Sequence, residues 1–419
     1  MHFTNGKKKG SLFVRRLSSI VFFFVFISIS LAGTAFAEFA WVWDMVPEMP
    51  TDDPAWLTLK EKWPLRFQEK NIDGILQLVE SIEKKYPDRV EPKLYLGKVL
   101  FLKAQYKKRH NEDLYKRVEA LAVAAHQIDK NNVYAFKMIV NVLPQIGDLD
   151  YSLKNYGDWI RSAAPLKSGH VIPPMTGNKE WEDALAMYDK RAGEGFDEIS
   201  EAGLESIQRF NAIADKNPEN ILALSWACRV NYDIGQYYSS LNLHYEKGMD
   251  YYKKAVFYGE KALKIDPHYL PAGYWTVISR ARMIQKESLL VKAKYVTYIM
   301  EKGLSGFREN GLYNYYGPSL ALATIITNGG WVAEKGIGIA GIHKEVLIRQ
   351  LQLCEIVYPN KLYALYGLAD LYANMGKKNE ALKTLDLLFS KNPEADPFIV
   401  LENRSVVRFA RELKQEIEK

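Results

Sequence analysis

The stretch Leu365-Tyr366-Gly367-Leu368-Ala369-Asp370-Leu371-Tyr372, followed by Gly376, Ala381, Leu385 and Pro393, decides the fold of this chain. Its apolar residues recur at intervals of three and four, the period of one face of a helix, on both sides of Gly376. Two short helices so closely joined must cross at short range, and Ala369 and Ala381 are small enough to permit it. Tyr372, Leu385 and Leu388 fill the space beside the crossing. Pro393 ends the second helix, because proline cannot continue one.

This order of residues resembles the tetratricopeptide repeat, a helix hairpin of about 34 residues. Weaker copies lie upstream. Ala255, Gly259, Ala262 and the ending Ile265-Asp266-Pro267 are spaced like a second helix, with residues 221–235 as the first. Cys228 then falls at the small crossing position, which suits a buried structural thiol. Leu96-Gly97 opens another hairpin, whose second helix runs over 114–128 and carries Ala122 and Ala125. Lone helices over 72–85 and 204–215, closed by Pro87 and Pro218, precede these two hairpins. The expected fold is all-α, a right-handed helical solenoid of tetratricopeptide-like helix hairpins.

Residues 72–143 and 203–284 read as two copies of one unit. Their offset grows from 131 residues at the two prolines to 137 at Asp129 and Asp266, which implies a longer hairpin connection over 236–248. The chain divides into a leader at 1–37, a Trp/Pro-rich arm at 38–64, a first unit at 65–164, a loop at 165–180 and a second unit at 181–419. The arm is expected to lie extended across the first helices. The glycines from Gly329 to Gly341 are expected to form a connecting loop between a helix beginning near Pro318 and another over 344–358.

Lys7, Lys8, Lys9, Arg15 and Arg16 precede an apolar run that closes on Ala35-Phe36-Ala37. A basic region, a short apolar segment and small residues at the end are the layout that a signal peptidase reads. Cleavage after Ala37 would release the chain into the periplasm, and no cysteine follows to accept a lipid. The formal charge of +6 misleads, because losing those five from 56 basic residues leaves 51 against 50 acidic. Charges so balanced give no footprint for nucleic acid.

Seven histidines are scattered without ligand spacing, and no nucleophile elbow, zinc-type cysteine pair or phosphate loop is present. Paired acids such as Asp52-Asp53 and Glu182-Asp183 sit where helices begin, and capping accounts for them. A binding role without a cofactor or metal is therefore expected in place of catalysis.

Over about residues 200–395 the order of features is more specific: Lys264-Ile265-Asp266-Pro267, then Tyr274-Trp275 opening a helix, a long helix through 292–302, Tyr315-Tyr316-Gly317-Pro318 as a turn, the glycine-rich insert, and the stretch from Cys354 to Pro359. This resembles the T component (TatT) family of tripartite ATP-independent periplasmic (TRAP) transporters. The resemblance implies an accessory protein that docks the solute-binding P component and shelters an organic-acid or apolar ligand. A general periplasmic scaffold for protein–protein interaction in envelope assembly is the alternative, and the oligomeric state, homo-oligomer included, is left open.

In tetratricopeptide hairpins the first helix lines the concave face. Registering the helices on the repeat puts Lys98, Arg229 and Arg280 at equivalent inward positions, with Tyr232, Tyr363 and Tyr366 beside them. Cations beside aromatic rings suit a carboxylate-bearing ligand. The plainer reading pairs the arginines with helix carboxylates and packs the tyrosines between repeats. Mass spectrometry of the periplasmic fraction should find Glu38 as the amino-terminal residue; a full-length chain in the membrane pellet would show that the apolar run is an anchor.

Overall fold

The computed structural model describes residues 46–107, 111–162, 172, 175, 177–241, 243–284, 298–299, 306, 308–339 and 342–419. The leader at 1–37, the start of the arm, nearly all of 165–176 and most of the helix expected over 292–302 lie outside them. The described residues form an all-helical solenoid of tetratricopeptide-like hairpins with no strand; an isolated bridge joins Ala192 to Ile199.

The helices are α1 (Pro54–Lys62), α2 (Ile72–Lys85), α3 (Val90–Tyr106), α4 (Glu112–Ile128), α5 (Val133–Ile146), α6 (Leu149–Ser162), α7 (Lys179–Tyr188), α8 (Glu201–Lys216), α9 (Ile221–Gln236), α10 (Tyr245–Ile265), α11 (Leu270–Met283), α12 (Tyr313–Ile339), α13 (Lys344–Val357), α14 (Leu362–Asn374), α15 (Lys378–Phe389) and α16 (Val400–Glu418). Short-range chemistry sets their ends. α2, α8 and α13 each stop at a residue before proline, Tyr86, Asn217 and Tyr358, because the proline ring disfavours the helical backbone there. The chain then turns the same way three times: Arg89 N–H reaches Tyr86 O at 3.2 Å, Asn220 reaches Asn217 at 3.0 Å, and Lys361 reaches Tyr358 at 2.9 Å.

Two turns that the sequence aligns are also alike in structure. Asp129 and Asp266, ending α4 and α10, hold nearly identical backbone angles, and each carboxylate accepts the N–H two residues on, from Asn131 at 3.0 Å and His268 at 2.8 Å. The hairpin of α9 and α10 is pinned where Cys228, Gly259 and Thr276 meet: Cys228 Sγ lies 4.0 Å from Thr276 Oγ1, and a Cβ at 259 would overlap that hydroxyl. Both cysteines are free and buried, and burial pushes the Cys228 thiol up to about 12. At the end of α14, Gly376 takes φ +74°, which only glycine adopts without strain, and Lys377 N–H closes the turn on Tyr372 O at 2.9 Å.

Four local expectations are corrected. The glycine-rich insert is not a loop: α12 continues through it to Ile339, its buried Leu322, Ile326 and Ile337 offsetting the poor helix propensity of glycine. The Tyr-Gly-Pro turn lies inside the start of α12, where Asn314 (φ +47°) and Tyr316 (φ +61°) bend the backbone before it becomes regular. The arm is not extended throughout: it turns helical at Pro54, where Asp53 caps α1 by accepting Ala55 N–H at 2.7 Å and the missing N–H of proline costs nothing in the first turn. Tyr274-Trp275 do not open a helix but lie one turn inside α11. The connection after α9 is longer than that after α3, as expected, and begins with a π-helical turn over Tyr237–Leu241.

The arm lies over α2 and α3 as expected. Tyr95 donates to Pro47 O at 2.6 Å, and its ring meets those of Trp56 and Trp63 edge-on at 5.5 and 4.8 Å. Buried side chains form three clusters. The first runs from Val46 to Ile160 and also takes in Leu312 to Leu371, because α13 packs across α5 and α6. The second spans Ile172 to Trp275 with Leu401, and the third joins α14, α15 and α16. Ala369 and Ala381 are fully buried in the last hairpin. Ala381→Leu should therefore cost about 1–3 kcal/mol through overpacking, read as a lower urea midpoint at unchanged helix content; a midpoint equal to wild type would mean that the repeat register is wrong.

Candidate functional site

The inward residues expected from the sequence fall into three places. Arg229, in the middle of α9, is buried at 5% exposure with its guanidinium over the Trp275 ring at 3.7 Å. It donates to Glu402 Oε1 of α16 at 3.0 Å and lies 3.3 Å from Asp233 Oδ1, one turn along its own helix. Asp233 also takes the Tyr188 hydroxyl and lies 3.9 Å from Arg191 Nε. Glu402 in turn takes Lys361 Nζ on its second oxygen. Burial works to raise the Glu402 carboxyl, but Lys361 and Arg229 together outweigh it and hold the group at about 2. For Asp233 the balance tips the other way, burial pushing it up against Arg229 and Arg191.

Lys98 lies elsewhere, in the first core. Its ammonium meets Glu309 Oε1 at 3.3 Å and the Glu309 carbonyl, while Arg66 holds the same carboxylate at 3.2 Å. Arg280 is paired with Glu260 of α10, and its guanidinium covers the Tyr298 ring at 4.9 Å.

Tyr232, Tyr363 and Tyr366 do converge, at the junction of α9, α11, α14 and α16. Tyr363 meets Tyr366 edge-on at 6.1 Å, and Tyr366 meets Phe409 at 6.0 Å. Tyr232 is buried between Tyr252 at 5.9 Å and Trp275 at 5.2 Å. The cation at this junction is Arg282, two residues beyond the arginine read from the sequence. Arg282 donates to the Tyr363 hydroxyl at 2.6 Å, reaches the Tyr232 hydroxyl, and lies 5.8 Å from the Phe409 ring. Helical spacing carried a signal for it: 275, 279 and 282 share one face of α11, and Trp275 and Ser279 are fully buried. The register that favoured position 280 placed the wrong side of α11 inward.

Glu402, Asn403 and Arg404 were invisible to the sequence reading because a polar run in an amphipathic helix reads as its solvated face. They form a buried plug instead. Asn403 accepts Leu362 N–H at 3.1 Å and donates to Asn360 O at 2.8 Å, while Arg404 donates to Gly195 O at 2.8 Å, Gly193 O at 3.1 Å and Glu394 at 2.8 Å.

No protein-family profile and no curated protein matches this sequence. Among solved structures the chain is similar to the yeast Tom70, at 13% identity over 88% of this chain and 97% of that one with a TM-score of 0.21, and to the TPR domain of P58(IPK), at 11% identity over 86% and 99% with a TM-score of 0.20. The Cut9–Hcn1 hetero-tetramer of APC/C is similar at 13% identity over 88% and 97%, with a TM-score of 0.20. Likeness at this level carries no argument about function, and the architecture stands on the helices described above.

Glu402→Gln keeps the shape of the plug but strands two buried cations, so it should destabilise the fold by about 3–5 kcal/mol at neutral pH. Because Glu402 is held at about 2 against an ordinary 4.5, its contribution is complete above 4.5 and is lost as pH falls through 2. The gap in unfolding free energy between wild type and Glu402→Gln should thus close across that window; a gap independent of pH would mean the carboxylate is not the group at work.

Proposed function

We propose that this chain is a non-catalytic helical-repeat scaffold, exported to the periplasm, whose inner surface engages a partner protein. The observation that supports it best is the junction of Arg282, Tyr363, Tyr366 and Phe409, partly open to solvent within a frame held by buried ion pairs. Half-buried tyrosine and arginine on rigid helices are the side chains from which binding hot spots are built, since they offer large area at small entropic cost. The stacked hairpins supply an extended face for such contacts.

The finer reading, an accessory T component that docks the P component of a TRAP transporter, rests on the sequence resemblance over residues 200–395. Titration with the purified P component should give a saturable complex if that reading holds. A complex with a different envelope protein, found by cross-linking and then reproduced with purified partner, would favour the general scaffold. In either case Tyr363→Ala/Tyr366→Ala should weaken the complex by roughly tenfold or more. Unchanged affinity in a double variant that melts like wild type would remove this face from the interaction.

A further inference from the structure

α10 packs on α9 and α11 and turns the rest of its circumference outward. On that outward arc, about a third of the circumference at roughly 100° per residue, lie Lys253, Lys254, Phe257, Lys261, Lys264 and Ile265. Phe257 is 51% and Ile265 46% exposed, so two large apolar side chains stand in solvent among lysines. The acids of α10 do little to offset those cations. Asp250 takes Lys253 at 3.1 Å, Glu260 takes Arg280, and Glu246 lies in the first turn, roughly two turns before Lys254. Lys254, Lys261 and Lys264 form no ion pair or hydrogen bond among the described residues; Lys254 and Lys261 lie over the rings of Tyr251 at 5.5 Å and Phe257 at 4.2 Å.

The first unit shows that the hairpin does not require such a face. At an offset of 137 residues, that of Asp129 and Asp266, α4 carries Arg117, Ala120, Ala124 and Gln127 where α10 has Lys254, Phe257, Lys261 and Lys264. The four pairs of positions are alike in exposure. Cations on this part of α4 are paired, Arg117 with Glu80 at 3.3 Å and Lys116 with Glu112 at 2.7 Å. Ile128 is exposed like Ile265, so the corner isoleucine comes with the repeat. Particular to α10 are the phenylalanine and three uncommitted lysines.

Protein interfaces are depleted in lysine, favour arginine and centre on a packed apolar cluster. α10 carries five lysines and no arginine, and no other exposed large apolar residue of α10 lies within a turn of Phe257. A lysine ammonium is a hydrated point charge on a flexible stem, which reaches phosphates without fixed geometry while its methylenes lie along an apolar boundary. Lysines around a protruding ring are the composition of helices that lie on bilayer surfaces. We propose that the outer face of α10 rests on a bilayer containing anionic phospholipid, with Lys254, Lys261 and Lys264 at the lipid phosphates and Phe257 entering between the headgroups. The near balance of charge over the whole chain does not oppose this, because screening over about 10 Å leaves the nearest charges dominant. The inference goes beyond the scaffold reading and is independent of it: α10 is the second helix of its hairpin, so the inner face stays free for a partner.

Co-sedimentation of the processed chain, from Glu38 onward, with vesicles of phosphatidylcholine alone or mixed equally with phosphatidylglycerol tests this. Binding should require phosphatidylglycerol and should fall as salt rises from about 0.05 to about 0.5 M. Lys254→Gln/Lys261→Gln/Lys264→Gln should weaken it by roughly tenfold to a hundredfold, and Phe257→Ser by about tenfold, both with the melting temperature kept. Lys116→Gln/Arg117→Gln, on the equivalent face of α4, should bind vesicles as wild type does. A wild type that ignores both kinds of vesicle or binds them equally overturns the assignment, as does a triple variant that binds like wild type or an α4 variant that loses as much as the triple variant. An acidic protein that binds wild type and not the triple variant, with vesicles left unbound, would give the face to a protein partner and overturn the membrane reading.

Discussion

A single buried carboxylate, that of Glu402, holds together parts of the chain that are far apart in sequence. It lies at 7% exposure between Arg229 of α9 and Lys361 at the start of α14, with one oxygen for each. Burying any one of these ions alone would cost several kcal/mol, and the mutual attraction offsets that cost only where geometry and hydrogen bonding are complete. Here further contacts share the cost: Arg229 also faces Asp233 and stacks on Trp275, and Asp233 takes Tyr188. α16 can therefore sit in one register, since a slip by one residue would put Leu401 or Asn403 where two cations wait. The carboxyl-terminal helix, polar on its buried side, is specified by charge matching more than by apolar burial.

The hairpins show the complementary strategy. Their ends are set locally, by proline after Tyr86, Asn217 and Tyr358 and by the Asp129 and Asp266 turns, so the same corner is built repeatedly from nearby residues. A stack of such units leaves an apolar face at its end that must be covered. Here α13 returns to lie over α5 and α6, placing Cys354, Leu347 and Leu351 in the same core as Val99, Ile139 and Leu143. The order of units along the chain is thus not their order in space.

Between the two regimes lies the Arg282 junction. Its walls come from α9, α11, α14 and α16, the elements that the Glu402 network ties together. Among the described residues Arg282 forms no ion pair with a carboxylate, and Glu402 and Asp233 face Arg229, Lys361 and Arg191.

The hairpin fold, the helix limits around Ile72–Lys85 and Ile221–Gln236, the matching turns at Asp129 and Asp266 and the burial of Cys228 were legible in the sequence, because they depend on helical period, on proline and glycine backbone limits and on side-chain size at a crossing. The tyrosines of the candidate site were legible for the same reason. The sequence did not disclose which cation joins them, nor that residues 329–339 continue a helix, nor that Glu402 and Arg404 are buried. Those outcomes belong to tertiary structure: two residues of register on α11, about half a turn, exchange Arg280 for Arg282, packing on neighbouring helices overrides glycine's weak propensity, and a charged residue reads as solvated until a partner of opposite sign arrives from about 170 residues away.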